Sequence, residues 1–314
     1  MSPIRPPVLQ AGDRVAVVAP AGPLQKIALE PGMELLASWG LEPVLGLSAR
    51  TQHGYLAGND DKRLTDLQRA FDDETIRGVF CVRGGYGVER IIDRLDLSGL
   101  RRDPKVVVGY SDITALHLLL RQRLDLVTFH GPVVARPWDD DDWTATQLRR
   151  AVLDRAPLGV LPHPPDYPPV ETLVPGVVDA PLAGGNLTLV ASSLGTPTAV
   201  QSRGCLLVLE DVHEPPYRVD HLLTQLRRAD VLQEVAGVVV GECVRCDAGP
   251  DDPPSPAVRD VFAEVLVELG IPSVYGVACG HGARQLTLPL GVPARLDAAA
   301  GALTVLEPAT AERD

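Results

Sequence analysis

The chain has 314 residues, 41 acidic against 29 basic side chains, a formal charge of −12, and 45% hydrophobic but only 4% aromatic residues, the composition of a soluble globular protein. That length suffices for two domains, or one large α/β domain, without disulfide staples. The acidic balance, with no Lys/Arg run, excludes nucleic acid and anionic membrane as main partners, because both need clustered positive charge, and leaves chemistry on small molecules or peptides.

Cys81, Cys205, Cys243, Cys246 and Cys279 are an odd, scattered set, which fits reduced thiols rather than a disulfide framework. The N-terminus lacks a charged region followed by an apolar one, and nowhere do about 18 apolar residues run together. The expectation is a cytoplasmic protein. In chain order, Val15 to Ala19 reads as a buried strand ended by a Gly/Pro turn, Leu29 to Trp39 as a helix closed by Gly40, and Val44-Leu45 as the start of a second strand. Asp60 to Phe71 is an amphipathic helix with Leu64, Leu67 and Phe71 on one face, and Gly78 to Val82 is a strand running into Arg83-Gly84-Gly85-Tyr86-Gly87. Val88 to Leu95 reads as helix, Lys105 to Gly109 as strand and Asp112 to Arg123 as helix. Apolar strands separated by helices indicate a parallel sheet covered on both faces.

The acidic run Asp139 to Asp142 reads as a solvated loop, since it lacks the ligand spacing of a calcium loop. A helix around Thr146 to Leu153 precedes a proline-rich stretch, Pro157 to Pro175, the best linker candidate. Beyond it, Cys205 to Leu209 and Val235 to Val240 are buried strands flanking a helix from Val219 to Arg228. Ala257 to Leu269 is a further helix, and Thr287 to Leu306 alternates Gly and Pro with short strands. No internal repeat is present.

Chemistry concentrates in a few segments. Gly109-Tyr110-Ser111-Asp112 joins a strand to a helix, so Ser111 reads either as a nucleophile on a tight elbow or as the N-cap of the helix that follows. The second glycine of a nucleophile elbow is replaced by Ile113. A nucleophilic serine needs a base and a group that orients it. Of seven histidines, His117 lies in the elbow helix and reads as packing, whereas His281 sits between Gly280 and Gly282 in a loop able to present its ring. Glu210 lies at the end of an apolar strand, where ligand crevices form, with Asp211 and Glu214 as rivals by spacing. The Arg83 to Gly87 turn can offer backbone N–H groups to an anion but is neither a P-loop nor a dinucleotide fingerprint. Gly184-Gly185-Asn186 reads either as a turn with an Asn N-cap or as part of a substrate cleft. Cys243 and Cys246 have redox or half-zinc spacing without a second pair, so no metal or cofactor is expected.

Taken together and in order, these segments resemble the LD-carboxypeptidase (muramoyltetrapeptide carboxypeptidase) family of serine peptidases, which also includes microcin C immunity proteins. The resemblance runs through Gly12 to Pro23, Gly58 to Arg63, Arg83 to Gly87, Gly109 to Thr114 and Phe129 to Pro132. It continues through Gly184 to Leu187, Leu209 to Val212, Pro216 to Asp220, Gly280-His281 and Leu288 to Gly291. It implies a Rossmann- or flavodoxin-like parallel α/β domain over residues 1–155, a Pro-rich linker over 156–180, and a β-rich α+β domain over 181–314. It further implies Ser111 as nucleophile, His281 as base, Glu210 as the acidic member, and the backbone N–H groups of Gly85 and Asp112 as the oxyanion hole. Arg83, Gly84, Tyr86 and Asn186 become substrate-contact candidates. The implied substrate is a cytoplasmic murein tetrapeptide losing its terminal D-Ala, and the implied assembly is a homodimer. Rival readings are an immunity-type hydrolase of peptidyl or aminoacyl adenylates, a non-catalytic two-lobe ligand-binding protein, and a nucleotide-dependent enzyme using Arg83 to Gly87 for phosphates.

Overall fold

The computed structural model describes residues 3–24, 28–138, 143–249 and 252–313; the acidic run Asp139 to Asp142 lies outside the described residues. The chain begins with β1 (Arg14–Val18), α1 (Glu30–Ser38), β2 (Glu42–Leu45), α2 (Asp60–Asp72), β3 (Ile76–Cys81), α3 (Ser98–Arg102), β4 (Val106–Gly109), α4 (Thr114–Leu124), β5 (Thr128–His130) and α5 (Trp143–Leu153). There follow β6 (Gly159–Val160), β7 (Glu171–Val174), β8 (Val177–Asn186), α6 (Leu187–Ser192), β9 (Leu206–Val212), α7 (Pro216–Arg228), α8 (Val231–Glu234) and β10 (Gly237–Val244). The last elements are α9 (Val258–Leu269), β11 (Ser273–Gly280), β12 (Leu288–Leu290), β13 (Pro293–Asp297) and β14 (Ala302–Val305).

The chain forms two compact units, one of Met1–Ala156, Thr287–Gly291 and Pro308–Asp314, the other of Pro157–Leu286 and Val292–Glu307. Residues 156–180, expected as a linker, carry β6, β7 and the start of β8. Val174 pairs with Ser273 and Ala180 with Ala294, so this proline-rich stretch is stitched into the second unit by edge and ladder hydrogen bonds. The prolines of this stretch lie outside β6 and β7, as residues that cannot donate to a ladder must.

In the first unit the described residues form a six-stranded sheet ordered β12-β5-β4-β3-β1-β2. The strands β2-β1-β3-β4-β5 run parallel, the flavodoxin-like order, and β12 closes the edge antiparallel to β5. Runs such as Val15 to Val18 and Val106 to Val108 are fully buried because helices cover both faces of a parallel sheet. Ligand crevices in such sheets open beyond the carboxyl ends of the strands near the order switch. Three turns occupy that edge: Ala19 to Pro23 after β1, Val82 to Gly87 after β3, and Tyr110 to Asp112 after β4.

One local expectation is corrected. Val88 to Leu95 is not a continuous helix but two 3₁₀ turns, Val88–Arg90 and Ile92–Arg94. The buried spacing Val88, Ile91, Ile92 is the helical spacing seen in the sequence, yet it is held by short-range bonds such as Ile91 N–H to the Val88 carbonyl at 3.0 Å. The Val88 N–H is committed to a side chain outside the segment, described below.

The second unit has an eight-stranded sheet ordered β6-β14-β13-β8-β9-β10-β11-β7, parallel through β8-β9-β10-β11 and antiparallel outside it. Irregularities in register fall between Val240 and Cys243 against β9 and between Val240 and Glu242 against β11, where Glu242 pairs with Gly280. Bulges of this kind re-aim side chains at strand ends. Among the described residues no helix is long and apolar enough to cross a membrane.

Helix α2 begins where Asn59 accepts a hydrogen bond from the Lys62 N–H at 3.0 Å. Asn59→Ala is expected to lower stability by about 1 kcal/mol, measurable as a shift of the urea midpoint at constant slope.

Candidate active site

The end of β4 carries one group of candidate residues. Ser111 has φ +64°, in the left-handed region, although it is not glycine. Such a backbone costs an L-residue about 1–3 kcal/mol and persists only where its surroundings enforce it. The N-cap reading of Ser111 does not hold locally: the 3₁₀ turn Ser111–Ile113 has no side-chain cap bond, and α4 starts from Ile113. The strand instead turns sharply enough to project the serine from the elbow.

Against this serine lies the glycine turn after β3. A Cβ built on Gly84 would stand 2.6 Å from Ser111 Cβ, 2.8 Å from its Oγ and 3.3 Å from the Asp112 nitrogen, so only glycine lets the two backbones meet. The Gly22 N–H donates to the Gly84 carbonyl at 3.1 Å, tying in the turn after β1. Gly85 and Tyr86 remain exposed. Arg83, half-buried, donates from Nη1 to the Pro23 carbonyl at 3.1 Å. The Asp112 carboxylate, 2% exposed, accepts the Val88 N–H at 2.9 Å. Burial pushes the Asp112 carboxyl up to about 6, with the Val88 hydrogen bond pulling the other way. Behind the elbow His117 is fully buried, its Nε2–H donating to the Gly109 carbonyl at 2.9 Å, and burial lowers it to about 4. A neutral ring committed in this way is packing, as its helix position suggested.

A second group of candidate residues lies in the second unit. His281 follows β11, and its Nδ1–H donates to Glu210 Oε2 at 2.6 Å. Glu210, in β9, is 0% exposed. Burial raises its carboxyl, opposed chiefly by the hydrogen bond from His281. A carboxylate that accepts at Nδ1 fixes the ring orientation and directs Nε2 as the basic nitrogen. Gly280 makes room for this pair: its φ is +101° and a Cβ there would lie 2.3 Å from Glu210 Oε2.

The two acidic rivals of Glu210 are engaged elsewhere. Asp211 accepts from Asn186 Nδ2 at 3.0 Å, from the Thr188 N–H at 2.9 Å, from Thr188 Oγ1 at 2.8 Å and from the Val212 N–H at 2.8 Å. Glu214 pairs with Arg218 at 3.3 Å one helical turn on. Asn186 is the N-cap of α6, accepting from the Leu189 N–H at 3.2 Å, which is the cap reading of that segment.

Two features escaped the sequence reading. Arg63, on the buried face of α2, is 0% exposed; the visible signal was a cation in register with Leu67 and Phe71 on the apolar face. Glu242 has a carboxyl raised to about 7 by burial and by the neighbouring Glu210 charge. Its carboxylate occupies the space a side chain on Gly282 would need, 1.7 Å from the built Cβ. No periodic signal marks it, because the register shift in β10 decides where it points. Among the described residues no three His, Cys, Asp or Glu side chains group as metal ligands, and Cys243 and Cys246 are free thiols.

The sequence pattern of the LD-carboxypeptidase N-terminal domain matches residues 15–131, and that of the C-terminal domain matches residues 179–296. The chain belongs to the LD-carboxypeptidase family. As a family member it is a hydrolase of the serine carboxypeptidase class. It is 44% identical to a putative carboxypeptidase of Streptomyces coelicolor, over 98% of this chain and 97% of that one. It is 36% identical to a probable murein peptide carboxypeptidase of Bacillus subtilis, over 94% of this chain and 92% of the relative. In fold it is similar to the microcin C7 self immunity protein, with a TM-score of 0.90 at 22% identity, covering 98% of this chain and 100% of that one.

Two outcomes follow from the geometry. Gly84→Ala must displace the Ser111 turn and is expected to cost about 1–3 kcal/mol, as overpacking does, read by denaturant unfolding. For Glu242, the unfolded carboxyl ionises near its ordinary 4.5 and the folded one near 7, so its contribution to stability declines as pH rises through that window. Glu242→Gln is therefore expected to gain stability over wild type at pH 8, with the gain shrinking toward pH 4.5 in thermal melts.

Proposed function

We propose that this protein releases the terminal D-alanine of murein tetrapeptides, with Ser111 as nucleophile, His281 as general base and Glu210 as the carboxylate that orients it. The observation that carries this reading is the left-handed backbone of Ser111 on a strand-to-helix turn, a strain that a structural serine has no use for. The short His281–Glu210 hydrogen bond supplies a base already held in one tautomer. The relative from Bacillus subtilis, named for murein peptide, supports the substrate class.

The chemistry follows from these parts. His281 Nε2 removes the Ser111 Oγ proton as the oxygen attacks the carbonyl carbon preceding D-alanine, and the new oxyanion receives hydrogen bonds from the N–H groups of Gly85 and Asp112. The tetrahedral intermediate collapses with cleavage of the C–N bond, the leaving amine taking the proton from His281. Water, deprotonated by the same histidine, then hydrolyses the Ser111 ester and restores the hydroxyl. Glu210 stabilises the imidazolium that forms in each half. Arg83 offers a guanidinium for a substrate carboxylate, and Gly84, Tyr86 and Asn186 complete the proposed contacts. The same reading makes the protein a cytoplasmic homodimer acting on recycled wall peptide.

The deciding experiment is mass spectrometry of a muropeptide panel and an aminoacyl sulfamoyl adenylate after incubation with wild type and Ser111→Ala. Wild type is expected to release D-alanine from tetrapeptides, and Ser111→Ala to lose about 10³-fold or more of that rate. Undiminished release by Ser111→Ala sinks the assignment, and cleavage of the adenylate alone transfers it to the immunity class.

A further inference from the structure

The turn that would form half of the oxyanion hole has no secondary structure of its own, yet its backbone is fastened at one end by the Gly22 backbone and at the other by two buried charged side chains. Gly84 to Val88 is held at three atoms. The Gly84 carbonyl accepts from Gly22 at 3.1 Å, the Gly87 carbonyl accepts from Arg63 Nη1 at 2.7 Å, and the Val88 N–H donates to Asp112 Oδ2 at 2.9 Å. Arg63 reaches further: Nη1 also donates to the Pro20 carbonyl, and Nη2 to Asp60 Oδ1. One guanidinium thus bridges the turns that follow β1 and β3. Asp60 is in turn fixed from the surface by Arg90, whose Nη2 lies 2.8 Å from Asp60 Oδ2. The fit around the guanidinium is tight, since a Cβ on Gly87 would stand 2.8 Å from Arg63 Nη1.

Burying a cation at 0% exposure and an anion at 2% is a poor way to gain stability, because desolvation offsets the attraction between them. Such groups do fix geometry, since each carries directed hydrogen bonds that cannot slide as an apolar contact can. What they fix here is the Gly87–Val88 end of the turn, next to the exposed residues Gly85 and Tyr86. Asp112 has a double part: its backbone N–H lies beside Ser111, while its side chain holds the far end of the glycine turn. The two proposed oxyanion donors are thereby linked through one residue.

We infer that Arg63 and Asp112 are positioning residues which set the Gly85 and Asp112 N–H groups at the separation the oxyanion requires. The inference rests on the proposed role of Ser111 and of those two amides. Misplacing one oxyanion donor costs about 10²–10³ in rate, with little effect on ground-state binding.

The test uses the full-length protein and release of D-alanine from murein tetrapeptide, with folding followed by circular dichroism and thermal melts. Asp112→Ala removes the acceptor of Val88 and is expected to lower kcat about 100-fold with KM within about threefold, while Asp112→Asn, which keeps an acceptor oxygen, recovers most of kcat. Arg63→Ala is expected to show the same split and to regain kcat on addition of guanidinium ion. Should Arg63→Ala fail to fold, the Asp112 pair decides. An Asp112→Ala protein that melts earlier but keeps its kcat, or one that raises KM alone, overturns the inference. So does an Asp112→Asn protein no more active than Asp112→Ala. Ser111→Ala is measured alongside: activity surviving there overturns the nucleophile and this inference together, whereas its loss with an intact kcat in Asp112→Ala overturns the positioning role alone.

Discussion

The approach of the Gly84 backbone to Ser111 is the constraint around which the first unit is organised. A methyl group at Gly84 would overlap the serine side chain, so the turns after β3 and β4 are in contact at van der Waals limits. Two adjacent parallel strands bring those turns side by side, because neighbouring strand ends in a sheet are only about 4.8 Å apart. The sheet supplies the proximity, glycine permits it, and the left-handed serine is what the remaining space allows. The turn after β1 joins through Gly22, making the three strand ends one connected surface.

In the second unit a different economy operates. Glu210 is buried and paired with one histidine, and Glu242 adds a second carboxyl whose ionisation burial opposes. Glycines at 280 and 282 leave the space these carboxylates fill. Burial opposes ionisation of both acids and the Glu210 charge raises Glu242 further, whereas the His281 hydrogen bond pulls Glu210 the other way. The neighbouring Asp211 does separate work, capping α6 from the next position along the same strand, so consecutive residues of β9 face opposite sides and serve different ends.

Much of this was legible in the chain. Val106 to Val108 before Gly109-Tyr110-Ser111 predicts a buried strand entering a tight turn, and it does. The apolar period of Leu64, Leu67 and Phe71 predicts a helix from Asp60 to Phe71, and α2 spans Asp60–Asp72. Val88 to Leu95 misled because its buried spacing is common to an α-helix and to two 3₁₀ turns, which close through bonds three residues apart such as Ile91 N–H to the Val88 carbonyl and Arg94 N–H to the Ile91 carbonyl. The proline-rich stretch read as a linker because prolines are poor in strand interiors, yet its prolines lie outside β6 and β7, leaving those short strands free to pair. Arg63 was in plain view as a cation on an apolar face, but its meaning depends on carbonyls from two turns far away in the chain.

By itself the sequence determined the alternation of strands and helices in the first unit, the parallel character of its sheet, the family, and the residue types able to act as nucleophile, base and acid. Those properties are local, written in periodicity, turn chemistry and motif order. Where spacing left Glu210, Asp211 and Glu214 open and the resemblance pointed to Glu210, tertiary structure shows Glu210 bonded to His281; it alone decided that Ser111 adopts a strained backbone instead of capping a helix, and that Arg63 and Asp112 grip one glycine turn. Each of those outcomes depends on strand register, bulges and close backbone approach between segments distant in sequence, where shifting a strand by one residue reverses the face a side chain occupies.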